Sequence, residues 1–137
     1  MAYEGQQFSI PGLISGEDLS ASTVQFKFVK LSADRTVVVC TAATDVPIGV
    51  LQAPTPTSAT GQPVTVCAIG LTKVQADASL TYGMAIGTSA DGQADRKIAG
   101  TDTTEYVVGQ VVEVAGGTTA ANYITALINC AAPRRAA

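Results

Sequence analysis

The stretch VTVCAIGLTKVQA, residues 64–76, decides how this chain folds. It divides at Gly70 into two strand-like runs, VTVCAIG (64–70) and LTKVQA (71–76). A lone glycine inside such a pattern invites a bulge or a kink and not a full reversal. Upstream, PTPTSATGQP (54–63) holds three prolines and a glycine and reads as a loop, too stiff to be a flexible domain linker. Before it, TVQFKFVKL (23–31) sets Val24, Phe26 and Phe28 against Gln25 and Lys27, the alternation of a half-buried strand. SADR (32–35) is a turn, TVVVCTA (36–42) a strand apolar on both faces, and IGVLQA (48–53) another strand.

Downstream, the pattern continues. DASLTYG (77–83) is a turn-rich connection, MAIGTS (84–89) a short strand, and ADGQAD (90–95) a hairpin signal built on Asp91-Gly92. EYVVGQVVEVA (105–115) is a long strand with Gly109 at its middle, GGTTA (116–120) a turn, and NYITALIN (122–129) the closing strand. The best helical candidate, SGEDLSAS (15–22) with Ser15 as cap, is too short to form a layer. Turn signals every 8–12 residues between β-branched runs predict an all-β fold, a small β-barrel or a sandwich-like barrel. The expected organisation is an extended N-terminal arm (1–20), a β-domain (21–130) and a C-terminal tail (131–137).

Composition narrows the function. Charged residues make up only 14% of the 137, against about 25% in an ordinary globular chain. Interface centres are depleted in charge, so a surface partly covered by other protein is one reading. A small domain kept soluble by Ser, Thr and Gln is the other. The net charge of −3 argues against binding nucleic acid by neutralising phosphates. The N-terminus, MAYEGQQFSI, has no basic region followed by an apolar one, so no secretory signal and synthesis in a cytoplasm are expected. No apolar run approaches the ~18 residues of a membrane span.

Chemistry is scarce. With no histidine, Ser-His and Cys-His nucleophile pairs and the commonest zinc ligand are missing. No phosphate-binding glycine motif is present, and nothing calls for a cofactor or metal. Asp91, Asp95 and Asp102 surround one hairpin, where turn carboxylates ordinarily bind backbone. Glu17, Asp18 and Glu105 read as solvated. Tyr82, Tyr106 and Tyr123 are read as core or interface residues in preference to a stacking platform. Cys40, Cys67 and Cys130 each sit in an apolar run and read as buried free thiols; a disulfide pair is the alternative. An enzyme is not expected.

Residues 47–100, PIGVLQAPTPTSATGQPVTVCAIGLTKVQADASLTYGMAIGTSADGQADRKIAG, resemble the head-decoration (capsid cement) proteins of tailed bacteriophages. The likeness lies in Gly49-Val50, then Gly61, Val64, Val66 and Gly70, then Val74 and Ala76. It continues through Tyr82-Gly83, Ile86, Asp91-Gly92 and Gly109-Gln110-Val111 to the closing strand Ile124–Ile128. The resemblance implies a small β-barrel on the outside of an assembled head, often as a trimer, whose partner is the major capsid protein. It would stabilise the shell by bridging capsid subunits.

A barrel clamps a shell only if something reaches outward. Phe8, Ile10, Leu13 and Ile14 give residues 3–20 apolar character, while Pro11-Gly12 interrupts regular structure. The segment reads as an arm contacting a neighbour, or alternatively as a plug across its own barrel. Arg134 and Arg135 form either a solvated tail or a contact to an acidic neighbour. A different class remains open: a non-catalytic β-domain for surface or ligand binding, such as a tail-fibre or adhesin module.

Overall fold

The two runs on either side of Gly70 form one strand, and the rest of the chain is arranged around it. The computed structural model describes residues 2–77, 80–114 and 122–137. The expected turn GGTTA (116–120) and the end of the expected strand at Ala115 lie outside the described residues, as do Ala78 and Ser79 of the 77–83 connection. The strands are β1 (Gln7–Ser9), β2 (Ile14–Ser15), β3 (Phe28–Ala33), β4 (Thr36–Val39), β5 (Gly49–Leu51) and β6 (Val66–Gln75). They continue as β7 (Ala85–Thr88), β8 (Ala94–Arg96), β9 (Tyr106–Val107), β10 (Gly109–Glu113), β11 (Tyr123–Asn129) and β12 (Arg134–Arg135). Among the described residues there is no α-helix, only a 3-10 turn at Ser22–Val24. The capped turn expected at 15–22 does not form: Ser15 lies in β2, where its hydroxyl accepts the Gln62 N–H at 3.1 Å.

The fold is all-β and sandwich-like. One ten-stranded sheet is linked in the order β2-β4-β3-β5-β6-β11-β10-β7-β8, with β1 also on β6, and β9 and β12 form a separate two-stranded sheet. On β6, Cys67 is flanked by Val50 and Ser9, and Gly70 by Ile128 and Gln7. Gly70 has φ +132°, and a Cβ there would lie 2.3 Å from the Gln6 carbonyl oxygen. Glycine therefore lets β1 lie against the strand at this point. The irregularity falls opposite, as a register shift between Phe8 and Ser9. Ala76 bridges Ala94, and Ile14 bridges Pro63. Each end of the sheet thus returns to the β6 region through a single bridge, without closing a regular barrel.

Burial explains the strands that are apolar on both faces. One core gathers Phe28, Val50, Cys67 and Val74 with Ile86, Ile124 and Ile128. The other gathers Val29, Leu51 and Val66 with Val37, Leu13 and Leu19. Adjacent residues of β3, β5 and β6 alternate between these cores, so the three strands are a wall shared by both.

The N-terminal segment is therefore not a projecting arm. Gln7–Ser9 pairs with β6 and Ile14–Ser15 runs parallel to β4. Leu13 and Leu19 are buried in the second core, and Ile10 packs against it. Apolar side chains in a segment of irregular backbone have only one way to leave water here, which is to cover the exposed side of the β3-β5-β6 wall.

Two strands differ from the pattern. The run 23–31 begins as a strand only at Phe28, because Phe26 takes φ +65° and the Lys27 N–H closes a turn onto the Val24 carbonyl at 3.2 Å. Phe26 then joins Phe28 in the first core while Val24 packs against the second. The run 105–115 breaks at Val108, whose N–H donates to Ile86 while Tyr106–Val107 pairs with Arg134–Arg135. The C-terminal residues are consequently docked on the body, with Ala136 buried.

Leu19→Ala should lower stability by about 2–5 kcal/mol, the usual cost of emptying a fully buried leucine site. Removing residues 1–20 should depress the melting temperature sharply, read by thermal and urea unfolding. An unchanged midpoint in both variants would show that the segment is not part of the folded core.

Candidate interaction surface

The polar groups of this protein mostly serve its own backbone. Asp102 accepts the Ile98 N–H at 2.6 Å. Asp45 accepts from Lys30, Thr41 and Ala42 at 2.8–3.0 Å. Burial disfavours the Asp45 carboxylate, but those three donors outweigh it and hold its pKa below the ordinary value. Glu17, expected to be solvated, accepts the Val39 N–H at 3.0 Å and so occupies a strand-edge donor. Asp77 is shifted upward, first by burial and then by the nearby carboxylates of Asp95 and Asp91. Among the described residues, no three Cys, Asp or Glu side chains are grouped to hold a metal ion, and no helix is long and apolar enough to cross a membrane.

One buried charge was not legible in the sequence. Lys97 has no exposed side-chain surface, and its ammonium meets Glu105 at 2.5 Å, the Thr88 carbonyl at 2.8 Å and Asp95 at 3.7 Å. Glu105 is thus the counter-ion of a buried cation instead of a solvated acid. The pair ties the β7-β8 hairpin to the start of β9.

The three tyrosines singled out in the sequence, Tyr82, Tyr106 and Tyr123, face different neighbours. Tyr123 meets Phe26 edge-on at 5.4 Å, Tyr106 lies beneath Arg135 at 5.7 Å, and Tyr82 is exposed. All three cysteines are buried and free. Burial pushes the thiols of Cys40 and Cys130 up to about 12 and that of Cys67 to about 11.

What stands out on the surface is apolar. Phe8 is paired with Ile69, Ile69 with Asn129, Leu71 with Leu127, and Leu127 with Gln110. Directly opposed residues share a face, so β1, β6, β11 and β10 present these side chains together. Phe8 is 59% exposed, Leu127 51%, Val112 41% and Ile69 38%. Charge enters this face as Lys73, 4.0 Å from Glu4, as Glu113, paired opposite Thr125, and as Arg134 beside the groove. Beside Leu127 an open groove of about 390 Å³ is lined by Ala85, Gly109, Gln110, Asn129 and Arg134.

Of the residues singled out in the sequence, Phe8 and Arg134 therefore come to one face from opposite ends of the chain. Arg135 is exposed but stacks on Tyr106. Ile10, Leu13 and Ile14 do not join them: Leu13 is a core residue, Ile10 packs against the same core, and Ile14 is half-buried in β2. Ile69, Val112 and Leu127 were missed. Their signal was an apolar residue at the outward parity of a strand, which NYITALIN carries at Leu127.

No family model matches the chain, and no curated protein is similar to it. Among solved structures, the chain is similar to the head fiber gp8.5 N base of bacteriophage phi29. The TM-score is 0.61 over 91% of this chain and 94% of that one, at 16% identity. At that identity the likeness is one of fold.

Two outcomes check the buried groups. Glu105→Ala, which leaves the buried Lys97 ammonium only the Thr88 carbonyl and the more distant Asp95, should cost roughly 3 kcal/mol, and Lys97→Met clearly less. Equal losses in urea unfolding would count against a buried charge pair. The thiols should be inert to Ellman's reagent at pH 8 in the native protein and titrate fully in denaturant. Because their folded pKa values exceed the unfolded value near 9, their contribution to stability is complete below pH 9 and is lost as pH rises towards 11–12. Native labelling at pH 8 would contradict this burial.

Proposed function

We propose that this chain is a non-catalytic structural protein of a phage head. It would bind the outer surface of the assembled shell as a decoration (cement) protein and stabilise it by bridging major capsid subunits. The observation that carries this reading is the fold shared with a head-fibre base over nearly the whole of both chains. The sequence resemblance to head-decoration proteins, drawn from different evidence, points to the same place. Low charge and an outward apolar face suit a protein whose product is its folded surface. Assembly as a trimer belongs to the same proposal, because a symmetric shell offers symmetric positions.

The structural neighbour also favours a second reading, in which this fold is the base of a head-attached fibre and does not cement the shell. Both are tested by mixing the purified protein with heads that lack it. A cement protein should co-sediment at a near-stoichiometric ratio to the major capsid protein and raise the temperature at which heads disrupt. Binding without stabilisation would support the fibre-base reading. Absence of binding would refute both. Light scattering in solution and subunit counting on the shell address the trimer, which a monomer in both settings would exclude.

A further inference from the structure

The proposed head attachment leaves open which face is used and what it meets. The outer face of β1, β6, β11 and β10 gathers several exposed apolar side chains on neighbouring strands, and it is built, not incidental. Gly70 admits β1 beside β6 and so places Phe8 next to Ile69. Gly109 lies so close to β11 that a Cβ would sit 2.7 Å from the Leu127 carbonyl oxygen, which leaves a hollow beside the exposed Leu127 side chain. Arg134 stands at the rim of that hollow, and it forms no ion pair among the described residues. Lys30, Lys73 and Lys97 have carboxylate neighbours and Arg135 lies on Tyr106, while Lys27, Arg35 and Arg96, also without an ion pair among the described residues, do not line this groove.

The occupant can be narrowed by area and charge. From their fractional exposures, Phe8, Ile69, Val112 and Leu127 offer on the order of 300–400 Å² of apolar surface. A standard stable interface takes about 800 Å² from each partner. Made once, a contact through this face is therefore weak for a second copy and for a shell protein alike, and a lattice that repeats its binding positions offsets that weakness. The one formal charge lining the groove is positive, on a chain whose net charge is −3. The face thus complements a partner that brings an apolar side chain for the hollow and a carboxylate for Arg134.

Building on the head-protein reading, we propose that this face docks on the shell protein. There the groove beside Arg134 takes an apolar side chain flanked by an acidic residue of a shell-protein loop.

The test uses the full-length protein and heads that lack it, with binding measured by co-sedimentation. Leu127→Asp and Arg134→Glu should each weaken binding at least tenfold while leaving the melting temperature within a few degrees of wild type. Arg134→Lys should bind nearly as well as wild type, and the Arg134→Glu defect should shrink as salt is raised. Val46→Asp, an exposed apolar position outside this face, should bind normally. If Leu127→Asp fails to fold, the exposed Arg134→Glu carries the test. Wild type that binds with both variants binding equally well would overturn the assignment of the face and leave the head reading intact. Wild type that does not bind heads would overturn the head reading and the face with it. Variants that lose self-association in sedimentation velocity, with head binding retained, would reassign the face to a second copy and overturn the proposal.

Discussion

The structure depends on a wall that is buried on both sides. In β3, β5 and the first part of β6, neighbouring residues turn to opposite cores: Phe28 and Val29, Val50 and Leu51, Cys67 and Val66. Such a wall needs cover on each face. The first core is covered by β7, β8, β10 and β11, strands that follow β6 in the chain. The second is covered by what precedes β3, namely Leu13 and Leu19, with Ile10 and Val24 packed against them. The N-terminal segment and the sheet are thus mutually required, since neither can remove its apolar groups from water without the other. Gly70 is where this arrangement is tightest, because it is flanked by both β1 and β11.

Much of this was legible in the sequence, and the remainder was hidden for identifiable reasons. The hairpin at Asp91-Gly92, the loop at 54–63, the closing strand and the buried thiols all follow from local chemistry. Turn residues, prolines and β-branched runs act on their own neighbours. The cover at Leu13 and Leu19 does not show a period, because irregular backbone imposes none, so the segment read either as an arm contacting a neighbour or as a plug across its own barrel. Phe26 reads as one more beat of an alternation, yet tertiary contacts hold it at φ +65°. That conformation costs a bulky residue of order 1–3 kcal/mol, which the surrounding core must offset. Lys97 gave no signal because its partner Glu105 lies across a turn, and only the fold brings the two together.

The candidate surface shows the same division. Phe8 and Arg134 could be named from sequence as residues without a local purpose. Their placement on one face required the ladder β1-β6-β11 and the docking of the C-terminal residues on β9. The intervening residues, Ile69 and Leu127, are apolar where a solvated sheet face would carry polar side chains. That excess is visible only once the inward parity of each strand is known.

A face of this size has a consequence for how such a protein would act. A few hundred square ångströms and one charge pair give a contact that forms and releases readily when made once. Stability on a shell would then have to come from number. Copies linked to one another, or one copy spanning two subunits, convert later contacts into intramolecular ones whose effective concentration far exceeds that of free protein. On this argument the low charge of the chain, the small docking face and the proposed trimer are one design. A single subunit would bind unassembled capsid protein poorly, and the same contact would hold firmly once the lattice had set the spacing of its partners.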